Sequence, residues 1–414
     1  MNKNKTSWVP IAACMVLQLC ISMVYLWSAL TGPVTAAYSA GLEEAATARL
    51  ASAAALVPSI MLLALVCGSL ASQLLRNRIG LKFTSMAGMV LYALGIALSG
   101  LVKSILPLIL TYGILAGLGA GIAYGASCTC IRKCLPLSRG FASGVAAAAL
   151  SLAAVIVAPV VHLLVKGHMN ADGIANLRPV FLILAVIFLV LGLGASWLIA
   201  LPDEAHRPHT AHTRSTYASN ASLQQLIHIP AFRCLFFTLF CLGSAWNLCV
   251  PLIQSLGTAR GLTSGMAFAC LILTGIFCAA GRVAMGWLSD QLGRFPVLYM
   301  LCGVNLVCSL LLTFIGGYGY FITVPLLAFA YGGFLSICGA LCTDLFGEKH
   351  PERNFSAALL ALGLSAVCVT LLSRYLFRAN MVLTFLLAAV TAVVPVILLL
   401  RLSRYQAVQK ARRK

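Results

Sequence analysis

Twelve long apolar segments constrain this chain more than any other feature of its sequence. A helix rises about 1.5 Å per residue, so roughly 20 apolar residues cross the hydrocarbon core of a bilayer. Segments of about that length occupy residues 9–31, 51–74, 83–102, 105–131, 140–165, 179–201, 231–256, 263–288, 295–316, 318–342, 355–373 and 380–400. The mean hydropathy of +1.00 lies far outside the range of globular proteins. The sequence therefore predicts an all-α integral membrane protein with twelve transmembrane helices.

The net charge of +19 raises the question of a nucleic-acid partner. With both termini in the cytoplasm, however, 20 of the 28 Lys and Arg residues lie in cytoplasmic segments and seven on the opposite side. Such an excess is typical of the cytoplasmic loops of membrane proteins. We therefore predict cytoplasmic termini in a bacterial cytoplasmic membrane and no nucleic-acid partner. The basic tail, residues 401–414, anchors the last helix, and whether it also binds anionic membrane lipid stays open.

Neither the cysteines nor the histidines form a recognisable metal or catalytic pattern. The 16 cysteines are scattered singly, with no CxxC pair and no zinc spacing. His206, His209 and His212 share a polar segment that offers no cage of Cys or carboxylate ligands. We expect no metal, no cofactor and, without a nucleophile, base and oxyanion arrangement, no enzyme activity.

The longest polar segment, residues 202–230, divides the chain into two sets of six apolar segments. We assign residues 1–201 to an N-terminal half, 202–230 to a cytoplasmic linker and 231–414 to a C-terminal half with the basic tail. A shift of 213 residues aligns 73–82 with 286–295, so that Asn77 meets Asp290 and Gly80 meets Gly293. This repeat predicts two pseudo-symmetric halves, and we expect a monomer to be functional.

Arg282 is the remaining cation, and it lies inside the eighth apolar segment. Eight residues separate it from Asp290, which places it about 12 Å deeper in the membrane. All nine acidic residues fall in loops or at segment ends, so no carboxylate is expected to neutralise it. The planar guanidinium matches a carboxylate bidentately. Two interpretations stay open: binding of a substrate anion, and a structural role satisfied by backbone carbonyls and water.

Polar residues recur at helical spacing on three of the apolar segments. They are Gln18, Ser22 and Tyr25; Ser244, Asn247 and Gln254, with Pro251 loosening the same turn; and Thr274, Cys278 and Arg282. Such stripes either line a central pathway or form hydrogen bonds between helices, and the sequence leaves both open. The fourth segment carries Gly113, Gly117, Gly121 and Gly125, which predict a close packing seam with Tyr124 beside it.

The segment GWLSDQLGR, residues 286–294, resembles the G-x-L-x-D-x-x-G-R loop motif of the major facilitator superfamily. The resemblance implies two six-helix halves with a substrate site between them near the midplane. It also implies that Asp290, with Gly286, Gly293 and Arg294, latches the cytoplasmic gate. The first copy of the motif departs from the pattern, because Asn77 replaces the acid.

Residues 18–30, 117–125, 132–144, 281–294 and 331–347 look like the oxalate/formate antiporter family, which is similar to the animal monocarboxylate transporters. The resemblance implies that Arg282 binds substrate and that Tyr25, Tyr124 and Tyr331 are aromatic positions around it. Oxalate exchangers of this family carry a lysine where this chain has Leu362. A single cation suits a single carboxylate, which favours lactate, pyruvate or formate over oxalate.

The sequence thus predicts a secondary transporter of small carboxylate anions that works by alternating access. Arg282, Tyr124, Tyr331, Tyr25, Cys278, Asn247 and Leu362 are the candidate substrate-binding residues. Proton coupling and anion exchange both stay open, as does a proton-linked role for His162, which we place near the outer end of the fifth helix. The alternatives are an oxalate/formate-type dicarboxylate exchanger and a transporter-like membrane sensor of carboxylates.

Overall fold

The computed structural model describes residues 8–39, 43–135, 139–171, 173–200, 223–347, 351–379 and 381–411. The N-terminal helices are α1 (Trp8–Cys20), α2 (Met23–Ser39), α3 (Glu44–Ala54), α4 (Leu56–Ser99), α5 (Ile105–Leu108), α6 (Gly117–Cys134), α7 (Arg139–Gly167) and α8 (Leu177–Leu198), with π-helical turns at Ile109–Ala116. The C-terminal helices are α9 (Leu223–His228), α10 (Pro230–Cys249), α11 (Ile253–Ala259), α12 (Ser264–Leu292), α13 (Arg294–Phe314), α14 (Tyr318–Phe346), α15 (Pro351–Ala379) and α16 (Met381–Ala411).

Among the described residues, 11 helical segments are long and apolar enough to cross a membrane. One of them, Arg49–Ser99, contains both the second and the third predicted spans. Gly80 interrupts it with φ 79° and ψ 169°, a backbone conformation that residues with a Cβ rarely adopt. Gly293 separates α12 from α13 with φ 92° and ψ 160°. The two glycines that the sequence repeat aligned therefore make the same turn at equivalent places.

The helix boundaries differ from the predicted ones at three places: the turn at Pro251, the C-terminal helix and the predicted linker. Val250–Leu252 is a 3-10 turn between α10 and α11, which confirms the predicted loosening at Pro251, a residue without a backbone N–H. The helix α16 continues to Ala411, beyond the predicted end at residue 400. Part of the predicted linker is helical, as α9, whereas residues 201–222, with His206, His209 and His212, lie outside the described part of the chain.

The outer surface of the helices is apolar and the interior holds many polar groups. Leu163, Val190 and Phe314 are 67%, 65% and 76% exposed, whereas Gln18 is fully buried. Asn305 is also buried, and its Nδ2 donates to the Leu242 carbonyl at 3.2 Å. This distribution suits a hydrocarbon solvent, in which polar groups must find partners inside the protein.

The predicted glycine seam on the fourth span is confirmed. Gly113, Gly117, Gly121 and Gly125 all face α4. A Cβ on Gly117 would lie 2.8 Å from the Met61 carbonyl oxygen, and one on Gly125 would lie 2.8 Å from Ser72 Cβ. Small residues at this spacing let the two backbones approach closely. The seam fixes α6 against α4 and so holds one wall of the interior.

The N-terminal and C-terminal helices contact each other along two lines. The helices α4 and α15 are joined by the hydroxyl pairs Ser59–Thr370, at 2.7 Å, and Ser69–Ser356, at 2.8 Å. The helices α7 and α12 pack together from Ala154 to Gly140. Below, the "Asp290 end" of the bundle is the end at which Gly140 meets Asp290. The "Pro251 end" is the opposite one, where Thr31 Oγ1 donates to the Pro251 carbonyl at 3.3 Å.

Candidate functional site, a cavity that contains two guanidinium groups

A cavity with about 600 Å³ of empty space, its open mouth included, lies between the N-terminal and the C-terminal helices. The helices α2, α4, α6 and α7 line it on one side and α12, α14 and α15 on the other. Its polar lining residues are Tyr25, Tyr124, Arg132, Ser143, Arg282, Tyr331 and Ser336. This lining contains two guanidinium groups and no carboxylate, so the cavity favours anions.

Arg282 is fixed in this cavity by contacts with the N-terminal helices. Its side chain is 1% exposed. Nη1 donates to the Ala147 carbonyl on α7 at 2.8 Å, and Nη2 donates to the Tyr25 hydroxyl on α2 at 3.2 Å. The buried Nε finds no acceptor among the described residues, and none of their carboxylates forms an ion pair with Arg282. The guanidinium is therefore oriented but only partly satisfied.

Aromatic side chains surround the Arg282 guanidinium. Tyr25, Tyr124 and Tyr331 all line the cavity, as the resemblance implied. The ring of Tyr331 stacks on Trp246, with centroids 5.4 Å apart and an interplanar angle of 29°. Tyr25 and Trp246 also line a second, smaller cavity of about 290 Å³ on the Pro251 side. These rings therefore separate the two cavities.

Three further candidates occupy different places. Leu362 lines the main cavity, at the position aligned with the lysine of the oxalate exchangers. Cys278 lines the smaller cavity and accepts a hydrogen bond from Ser151 Oγ at 3.2 Å. Asn247 lines neither of the two cavities, and its Nδ2 donates to the Leu362 carbonyl at 3.3 Å. The structure thus brings Arg282, the tyrosines and Leu362 together in the main cavity, with Cys278 beside Tyr25 in the smaller cavity and Asn247 bonded to the backbone of Leu362.

The predicted polar stripes serve both of the purposes that the sequence left open. Gln18 joins helices, because its Nε2 donates to the Ala146 carbonyl and, at 3.2 Å, to Ser127 Oγ. Ser22, in the turn between α1 and α2, donates from Oγ to the Leu19 carbonyl of α1 at 2.5 Å. Tyr25, the third member of that stripe, lines the cavity. His162 packs on Phe268 with ring centroids 4.9 Å apart and lines neither cavity.

Asp290 connects the two sets of helices at its end of the bundle. Its carboxylate accepts hydrogen bonds from the backbone N–H groups of Gly140 and Phe141, both at 3.0 Å. These amides belong to the first turn of α7, where the helix dipole favours a negative charge. Arg294 pairs with Asp290 at 2.6 Å and with Asp344 at 3.1 Å. Asp290 therefore caps a helix of the other half while a cation of its own half holds it.

The remaining motif residues explain the close approach at the Asp290 end. Gly286 lies against Gly140, and a Cβ at either position would collide with the carbonyl oxygen of the other. Gly293 supplies the positive φ of 92° that turns the chain from α12 into α13. Asn77, in the first copy of the motif, is exposed and makes no hydrogen bond to a described residue. The two copies of the motif are thus unequal.

Arg132 is a cavity residue that the sequence interpretation counted only as a loop cation. It lies in the last turn of α6, and its guanidinium carbon is 5.3 Å from the centre of the Phe355 ring. Its buried Nε has no hydrogen-bond partner among the described residues. The spacing Tyr124, Cys128, Arg132 puts all three on one helix face, a signal that could have placed Arg132 beside the cavity.

Comparisons with known proteins agree with this geometry. Residues 12–329 match the model of the Major Facilitator Superfamily, which covers more than half of the chain. The chain belongs to this superfamily and is a multi-pass membrane protein and a secondary transporter that works by alternating access. It matches a crystal structure of the superfamily transporter FucP in the outward conformation, with a TM-score of 0.69 and 17% identity over 96% of this chain and 99% of that one. At this identity the match shows the fold alone.

Two curated relatives match more than two thirds of this chain at low sequence identity. The uncharacterized MFS-type transporter YhjX of Escherichia coli (strain K12) is 22% identical over 89% of this chain and 87% of its own length. The oxalate:formate antiporter of Oxalobacter formigenes is 24% identical over 71% of this chain and 70% of its own length.

Proposed function

We propose that this protein transports small monocarboxylate anions, with lactate, pyruvate and formate as the favoured substrates. One observation carries the proposal: the buried guanidinium of Arg282 lines a cavity between the two sets of helices and has a donor, Nε, with no acceptor among the residues that the structure describes. A carboxylate oxygen on Nε would satisfy that donor, and the second oxygen would reach an adjacent Nη in a bidentate arrangement.

The surroundings of Arg282 support a substrate with one negative charge. Leu362 offers an apolar side chain where the oxalate exchangers of the family place a lysine. A dianion at Arg282 would keep one charge uncompensated against this apolar wall, which is unfavourable in a low-dielectric site. The rings of Tyr25, Tyr124 and Tyr331 line the cavity and offer apolar faces and hydroxyl groups to a small carboxylate.

The orientation follows from the distribution of cations. The Asp290 end carries the cation-rich segments, which we assign to the cytoplasm of a bacterial cell. The cavity then reaches from the middle of the membrane toward the cytoplasm. The contacts of Asp290 with Gly140 and Phe141 form the cytoplasmic latch in this proposal.

Uptake into proteoliposomes tests the proposal. Purified protein is reconstituted, and labelled lactate, pyruvate, formate and oxalate are offered with and without a pH gradient or an internal counter-anion. We expect saturable uptake of at least one monocarboxylate and slower uptake of oxalate. Uptake driven by the pH gradient alone would identify proton symport, and a requirement for internal anion would identify exchange. Saturable uptake of organic cations, or binding without any uptake, would contradict the proposal, and the latter result would favour a sensor.

Exchange of a dicarboxylate is the second candidate, and Arg132 is the observation that favours it. It adds a second cation to the cavity lining. The oxalate:formate antiporter among the relatives points in the same direction. Oxalate taken up faster than every monocarboxylate, in exchange for internal formate, would select this candidate.

A further inference from the structure

We infer that Arg132 forms a second anion-binding site, which holds the transported carboxylate between Arg282 and the Asp290 end of the bundle. The inference rests on the proposed function, because it assigns a second position to the same substrate. In this arrangement each arginine binds the substrate at a different time, in contrast to a single site in which Arg282 and Arg132 bind one molecule together.

The side chain of Arg132 has the properties of an anion site rather than of a surface cation. It lines the same cavity as Arg282, and its buried Nε has no acceptor among the described residues. No carboxylate of those residues lies within ion-pair distance of it. The Phe355 ring, 5.3 Å from the guanidinium carbon, supports the cation by a cation–π contact without neutralising it. The guanidinium is thus held in place and its charge stays available.

Arg282 and Arg132 lie at different levels of the cavity. Arg282 is bonded to Ala147, and Ser143 lies one turn closer to the Asp290 end on the same helix, about 6 Å away along its axis. Phe355, which contacts Arg132, precedes Leu362 by seven residues on α15, about 10 Å along that axis. The start of α15 follows closely after Asp344, which pairs with Arg294 at the Asp290 end.

The separation decides between one shared site and two successive ones. On α6, Tyr124, which lines the cavity beside Arg282, precedes Arg132 by eight residues, about 12 Å along the helix axis. This length exceeds that of a carboxylate of one to three carbons, so in this inference the anion contacts one guanidinium at a time. The hydroxyls of Ser143 and Ser336 line the same cavity and offer hydrogen bonds to an anion in passage. A second cation lowers the electrostatic barrier for an anion that leaves Arg282 across low-dielectric walls. Arg132 therefore serves as the next position on the route to the Asp290 end.

The test compares the two faces of the membrane. Uptake of the best-transported of lactate, pyruvate and formate is measured in right-side-out and inside-out vesicles that contain wild type, Arg132→Gln, Arg132→Lys or Lys133→Gln. Lys133→Gln removes the same charge one residue further on, at a position that does not line the cavity. We expect Arg132→Gln to raise the half-saturating concentration by roughly tenfold on the face at the Asp290 end and by less than about twofold on the other.

Arg132→Lys should recover most of the loss, and Lys133→Gln should behave like wild type. Equal effects of Arg132→Gln on both faces would indicate a structural role and overturn the inference, as would wild-type values on both faces. A variant that fails to fold is recognised by its absence from the vesicle membrane on an immunoblot, and the comparison of the two faces is then made with Arg132→Lys, which should show a smaller rise confined to the face at the Asp290 end; equal values on both faces would overturn the inference. If wild type itself takes up no carboxylate, the proposed function fails first. Transport by wild type with a symmetric Arg132→Gln phenotype rejects the second site alone.

Discussion

At the scale of single residues, the state of Arg282 carries most of the functional argument. A guanidinium has five N–H donors, and here Ala147 and Tyr25 accept from two of its nitrogens, while the buried Nε has no acceptor in the described part of the chain. A buried donor without a partner costs about 1–3 kcal/mol, and more when the group is charged. Backbone and side-chain acceptors therefore orient Arg282, as the structural interpretation of the sequence expected, and the binding of a substrate anion stays a prediction.

The Tyr25 hydroxyl is the contact of Arg282 that can be removed most cleanly. Tyr25→Phe deletes the acceptor 3.2 Å from Nη2 and keeps the ring in the cavity wall. We expect the half-saturating substrate concentration to rise about tenfold or more, which corresponds to the loss of one hydrogen bond to a charged group, about 1.5–3 kcal/mol. Tyr318→Phe, at a residue 75% exposed at the start of α14, is the control. A Tyr25→Phe protein with wild-type uptake kinetics would remove Tyr25 from the site.

Leu362→Lys tests the charge argument for substrate choice. The change places an amine at a position that lines the cavity and that the resemblance to oxalate exchangers aligns with a lysine. We expect oxalate uptake to improve relative to lactate, because two cations would then face a dianion. The ratio of the two uptake rates in proteoliposomes is the measurement, with Leu364→Lys, at a residue 41% exposed on the same helix, as the control. An unchanged ratio would argue against the alignment of Leu362 or against charge matching.

Sequence alone identified part of this site and missed the rest for a physical reason. Arg282 could be found because an arginine within an apolar span is unfavourable and so conspicuous. The tyrosines were assigned to its surroundings through the family resemblance. Arg132 ends its span, where cations are ordinary, so its helical spacing from Tyr124 is a weak signal, and its contact with Phe355 on α15 shows its place in the cavity lining. Asn247 shares the helical spacing of a cavity residue, yet its rotation toward Leu362 depends on tertiary contacts that no spacing reveals.

At the scale of helices, the crossing of α7 and α12 fixes the geometry of the site. Gly140 and Gly144 on α7 face Gly286 and the Arg282 backbone on α12. Without side chains at these glycines, the helices approach closely enough for Arg282 to reach Ala147 and for Asp290 to cap α7. The sequence predicted the glycine seam of the fourth span, since four glycines recur there, and the structure identified α4 as its partner. The Gly140–Gly144 pair is too short a pattern to predict a seam, and its partner, α12, is seen only in the structure.

Gly144→Ala tests this crossing. The added methyl would collide with the Arg282 carbonyl oxygen and come within 3.0 Å of Ser336 Oγ. Overpacking of this kind costs about 1–3 kcal/mol, so we expect a lower melting temperature and uptake reduced by at least tenfold. Gly167→Ala is a matched control on the same helix, because a Cβ there meets nothing within 4 Å. Uptake by Gly144→Ala equal to that by Gly167→Ala would show that the crossing tolerates more space than the structure implies.

At the scale of the whole molecule, the two sets of helices meet at both ends, with the cavity between. Alternating access requires the contacts at one end to open while those at the other close. At the Asp290 end, the carboxylate of Asp290 accepts hydrogen bonds from two backbone amides of α7 and pairs with Arg294. The transmembrane spans were predictable because a helix that crosses lipid must be long and apolar, and the repeat was predictable from the alignment of 73–82 with 286–295. The sequence also showed that Asn77 replaces the acid in the first motif copy, but only the structure shows that Asn77 is exposed.

Asp290→Asn should loosen the closure at its end of the bundle. The change removes the charge that pairs with Arg294 and interacts with the first turn of α7. We expect amide hydrogen exchange at Gly140 and Phe141 to accelerate roughly tenfold, as for the loss of 1–2 kcal/mol of helix-terminal interaction. Mass spectrometry of peptides spanning residues 139–144 measures it, and Glu43→Gln controls for the change of charge. Unchanged exchange would mean that Asp290 does not hold this end closed.

The central claim is that Arg282 binds the carboxylate of the substrate. Equilibrium binding of labelled lactate, pyruvate and formate to purified protein tests it most directly, with Arg282→Gln beside Arg404→Gln, which removes an exposed cation of α16. Loss of a buried bidentate charge pair is expected to weaken binding by about two orders of magnitude or more. We therefore predict saturable binding by wild type and Arg404→Gln and none detectable by Arg282→Gln. Binding by Arg282→Gln with wild-type affinity would contradict the account.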